Sequence, residues 1–92
     1  MIKIKFSKND KHYLCFKDYN AVVQFMRSQV LPWRDCYKKT NAMDYKKEVA
    51  RRARIMYGEN VLLRALSDKE FIYDLQRLGE IDEVIDTLDL VL

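Results

Sequence analysis

Ninety-two residues, 49% hydrophobic and 34% charged with a net charge of +3, describe a single small globular domain over residues 1–92 and argue against disorder, low complexity or two separate cores. No run of eighteen apolar residues occurs and the opening MIKIKF alternates lysine with apolar residues, so neither a membrane span nor a secretory signal is expected, and the chain reads as soluble and cytoplasmic. Cys15 and Cys36 are too few for a disulfide framework, and together with His12 they lack the fourth ligand and paired spacing of a zinc site, so no metal or cofactor is expected; a bridge between the two stays open.

Taken in chain order, IKIKF (2–6) alternates with period two, SKNDK (7–11) is rich in turn formers, and HYLCF (12–16) is again apolar and aromatic. This predicts a β-hairpin with Ile2, Ile4 and Phe6 turned to the core and Lys3 and Lys5 to water. A two-stranded ribbon is not stable alone, so helices must cover it. From Asp18 the period becomes helical, with Tyr19, Val22, Val23, Met26 and Val30 on one side; Asp18 or Asn20 can cap the start, and Pro32 stops the helix. WRDCYKKTN has no clear period and reads as a loop. Its Trp33, Arg34 and Tyr37 are candidate binding residues, because aromatics beside cations stack on unpaired bases and equally anchor protein interfaces.

A second helix is expected from 41–44 through KKEVARRARIMYG (46–58), where five cations fall in nine positions and Gly58 suits a left-handed C-cap. At about 100° per residue, Tyr45, Val49, Ala53 and Met56 gather on the core side, while Lys47, Arg51 and Arg54 form an outward edge. NVLLRAL (60–66) reads as a short helix, and SDKE (67–70) as a capping box that opens a helix over FIYDLQRL, closed by Gly79. EIDEVIDTLDLVL (80–92) has helical periodicity, with an acidic face of Glu80, Asp82, Glu83, Asp86 and Asp89 opposite Ile81, Val84, Ile85 and Leu88; a strand is the open alternative for 84–92. The fold class expected is therefore α+β, an N-terminal β-hairpin packed on about four helices. Its core would be built chiefly from Val22, Met26, Val49, Met56, Leu62, Leu66, Phe71, Leu75, Leu78, Ile81, Val84 and Leu88.

Charge is divided unevenly: residues 1–54 carry fourteen Lys and Arg against five Asp and Glu, and residues 55–92 three against nine. The halves, +9 and −6, either attract each other or show two faces of opposite sign to partners. The Lys47, Arg51 and Arg54 edge can accordingly meet a phosphate backbone, a partner's carboxylates, the chain's own acidic segment, or water. The acidic row can in turn occupy a cationic groove on another protein.

Catalytic constellations are not legible. There is one histidine, none of the three serines sits in a Gly-x-Ser-x-Gly turn, Gly58 and Gly79 stand alone, and the acids lack calcium-loop spacing. The expectation is a small non-enzymatic binding module, a regulator or inhibitor that contacts a protein, with no membrane partner and with homo-oligomerisation left open. The alternative is a nucleic-acid-binding protein using the Lys47, Arg51 and Arg54 edge with Trp33 or Tyr37 nearby.

Overall fold

The alternating apolar residues of the first segment form the middle of a sheet. The computed structural model describes residues 1–29, 31–32 and 41–87. Strand β1 (Ile2–Lys5) lies between β2 (Leu14–Phe16) and β3 (Glu83–Asp86), antiparallel to both. Ile2 stands opposite Phe16 and Asp86, and Ile4 opposite Leu14 and Val84, so these six share one face of the sheet. On that face Ile2 and Ile4 are buried, and Phe6, Phe16 and Val84 pack against the same core. The hairpin is as the alternation predicts, with its turn organised by Asp10, whose carboxylate accepts the Phe6 and Ser7 amides at 3.1 Å each. β2 begins only at Leu14, which leaves His12 outside the strand.

Three helices cover the core side. α1 (Tyr19–Ser28) is capped by Asp18, which accepts the Ala21 amide at 2.8 Å. It ends ahead of Pro32, with the Leu31 amide donating back to the Met26 carbonyl. α2 (Ala42–Tyr57) starts at Asn41, which accepts the Asp44 amide at 2.8 Å, and stops at Gly58. That glycine has φ 111° and ψ 155°, so it meets the demand for positive φ in an extended conformation reserved for glycine, not in the left-handed helical well. α3 (Asp68–Arg77) is opened by Ser67, whose hydroxyl accepts the Glu70 amide. The return half of the expected capping box is redirected, since the Glu70 carboxylate pairs with Arg64.

The described residues thus hold three helices and a three-stranded antiparallel sheet, which corrects the expectation of a hairpin on about four helices. Two segments account for the difference. Residues 60–66 are not helical: Leu63 is buried while Leu62, Arg64 and Leu66 are exposed, and Asp74 on α3 captures Arg64 through its amide at 2.9 Å and its guanidinium at 2.9 and 3.0 Å. Arg77 adds a hydrogen bond to the Leu62 carbonyl. Residues 80–86 are likewise not a helix, because β1 has a second edge to fill; Val84 and Asp86 turn inward and Glu83 and Ile85 outward from β3.

The core contains the expected Val22, Met26, Val49, Phe71, Leu75 and Ile81, each fully buried, with Leu78 and Val84 packed beside them. Met56, Leu62 and Leu66 were expected there and are exposed, at 53%, 53% and 86%. Tyr45 is buried, as its place on the core side of α2 predicts, and donates its hydroxyl to the Leu31 carbonyl, while Ile72 fills the interior unpredicted. Trp33, Arg34, Cys36, Tyr37, Leu88 and Asp89 lie outside the described residues, and with them the loop reading, the cysteine pairing and the end of the acidic segment.

Candidate functional site

The cationic run of α2 separates into two kinds of residue. Lys46 is 4% exposed, and its ammonium sits 2.6 Å from Asp68 Oδ1 in the first turn of α3. Asp68 also accepts from Asn20 of α1 at 3.3 Å, so this carboxylate ties three helices together. Lys47, Arg51 and Arg54, spaced i, i+4, i+7, are all exposed along the opposite edge, as the helical geometry predicts. Arg51 pairs with Glu48 one turn back. Lys47 and Arg54 form no ion pair with any described residue.

This edge is not purely polar. Ile55, i+4 from Arg51, is 65% exposed on the same side of α2, and Met56 is 53% exposed in the same last turn. Beside α2, the 61–66 segment, which belongs to neither helix nor strand, presents Leu62 and Leu66 to solvent. Between helix and segment lies a groove of about 380 Å³ whose walls include Lys47, Ala50, Arg54, Leu62, Leu63 and Leu66. A second, shallower depression continues it past Arg51, Arg54 and Ile55 to Gly58.

The groove is held by charge. Asp74 is 2% exposed; burial by itself would raise its carboxyl, but the hydrogen bonds from the Arg64 guanidinium and amide, with the charges of Arg64 and Arg77, hold it below its ordinary value. The same contact pushes the Arg64 guanidinium further up. Glu70 completes the cluster from the far wall. The segment carrying Leu62 and Leu66 is therefore fastened to α3 and presented as a rail.

The acids expected to line one helix face are dispersed instead. Glu80 accepts the hydroxyl of Tyr57, whose phenol is pushed up to about 12 first by that hydrogen bond and then by burial. Glu83 holds the Tyr13 phenol up in the same way. Asp82 lies in the turn before β3, where its amide donates to the Lys5 carbonyl. Asp86 faces inward, 7% exposed, and accepts the Tyr19 hydroxyl at 2.7 Å, with Tyr73 3.1 Å from that hydroxyl. Burial, followed by these two contacts, drives the Tyr19 phenol strongly upward. Tyr19 and Tyr73 latch α1 and α3 to β3, so residues 80–86 form no helical carboxylate row against which the α2 edge could dock.

Sequence reasoning missed Ile55, Leu62 and Leu66 as surface residues. A signal existed for the first: Ile55 stands i+4 from Arg51 on the stripe already assigned to cations. Among the described residues, no group of three or more His, Cys, Asp or Glu side chains is arranged to hold a metal ion, and no helix is long and apolar enough to cross a membrane. No family model, curated protein or solved structure matches this chain.

Proposed function

We propose that this chain is a small non-enzymatic binding module of the cytoplasm, a regulator or inhibitor that contacts another protein through the α2 edge and the 61–66 rail. The observation that carries this reading is the mixture on one face: Lys47 and Arg54, with no ionic partner among the described residues, beside exposed Ile55, Leu62 and Leu66. A phosphate backbone has no use for exposed leucines, whereas protein interfaces combine apolar anchors with arginine. The pre-set rail lowers the ordering cost of association, since Arg64 and Arg77 already fix its backbone to α3.

The test is retention of partners from lysate of the native host, with and without nuclease, by wild type and by Leu66→Ser. The reading requires a protein retained after nuclease treatment and lost with Leu66→Ser. Retention that vanishes with nuclease and survives Leu66→Ser transfers the face to the nucleic-acid alternative.

A further inference from the structure

Resting on that reading, we infer that the occupant of the groove between α2 and residues 61–66 is an acidic amphipathic helix of the partner, its carboxylates on Lys47 and Arg54 and its apolar side chains against Leu62 and Leu66. Three features of the groove specify this chemistry. Its available charge is of one sign: Lys47 and Arg54 have no ionic partner among the described residues, while the acid in the wall, Glu70, is already paired with Arg64. Its apolar wall is exposed, with Leu62 at 53% and Leu66 at 86%, and Leu63 is buried beneath. Its floor is the buried Ala50, whose short side chain adds no bulk between Lys47 and Arg54.

Spacing adds a length. Lys47 and Arg54 are seven residues apart on one helix, about 10 Å along its axis at 1.5 Å per residue. A partner helix laid alongside matches that span with two acids at i and i+7, and places apolar residues at i+3 and i+4 between them, opposite Ala50 and the leucine rail. Burial of the apolar contacts excludes water from the two ion pairs, which strengthens both. A fully basic ligand meets two cations here, and a fully polar acidic one leaves the leucines wet; the face discriminates against each.

The probe is a fluorescein-labelled helical peptide with Glu at i and i+7 and Leu at i+3 and i+4, titrated by anisotropy against the intact chain. Three control peptides replace Glu by Gln, Glu by Lys, or Leu by Ala. Saturable binding of the parent peptide is expected, weakened about tenfold or more by the Gln and Ala peptides and by Lys47→Glu with Arg54→Glu. The Lys peptide should bind that doubly reversed variant better than it binds wild type, a recovery that a misfolded variant cannot produce. Leu62→Ser, at a residue 53% exposed in the groove wall, should weaken binding of the parent peptide while circular dichroism stays unchanged. No binding at low salt, equal binding of the Gln or Ala peptide, or displacement by an equimolar oligonucleotide overturns the inference. Should a protein still be retained from lysate in a Leu66-dependent way, the face keeps its role and only the acidic occupant falls.

Discussion

Asp74 decides how residues 61–66 run. A buried carboxylate needs its lone pairs filled, and the Arg64 amide and guanidinium fill them only when that segment lies along α3. Asp74→Asn is expected to cost about 1.5–3 kcal/mol at neutral pH, the range of hydrogen bonds to charged groups. The pH dependence has a definite sign. Because the folded-state value of Asp74 lies below its ordinary 3.8, its contribution is complete above that pH and is lost as pH falls through the depressed value. Urea unfolding at a series of pH values should therefore show wild type and Asp74→Asn converging as the pH drops below 3.8. A gap that stays constant from neutral into acid would mean that the charge on Asp74 contributes nothing and that only its shape matters.

At the level of elements, the ends of the helices were written locally and the paths between them were not. Asp18, Asn41 and Ser67 each accept an amide from the first turn of their helix, and Gly58 closes α2 through its backbone. No atom lies within 4 Å of where a Gly58 Cβ would stand, so Gly58→Ala isolates the conformational term: a loss of about 1–3 kcal/mol in denaturant unfolding, with no packing contribution. A neutral result would show that α2 can end without the positive φ. Residues 60–66 and 80–86 carried helical spacing yet fold otherwise, because their partners are distant in sequence: Asp74 for the first, the free edge of β1 for the second. Only the clustered β-branched Val84 and Ile85 hinted at the strand. The candidate face was half legible for the same reason. Lys47, Arg51 and Arg54 follow from the helical repeat of one element, whereas Leu62 and Leu66 joined them only once Asp74 had turned their segment outward.

On the scale of the whole molecule, the two oppositely charged halves meet at particular points, Lys46 with Asp68 in the helical layer and β1 beside β3 in the sheet, and that leaves Lys47 and Arg54 of the α2 edge without an ionic partner among the described residues. The proposed binding role then requires that stability and binding depend on separate residues. Ile4 is fully buried in the central strand, and its truncation to Ala should cost about 2–5 kcal/mol, a large share of the about 5–15 kcal/mol available to a domain. Leu66 is 86% exposed, so Leu66→Ser should move the unfolding midpoint by no more than a surface change does, within about 0.5 kcal/mol. Thermal or urea unfolding of the two variants side by side checks the separation. If Leu66→Ser proves as costly as a core truncation, Leu66 is holding the fold together and its loss of binding says nothing about contact. If it proves neutral, a leucine that stabilises nothing has been left in water beside two cations with no ionic partner among the described residues, and any defect in partner retention belongs to the proposed interface.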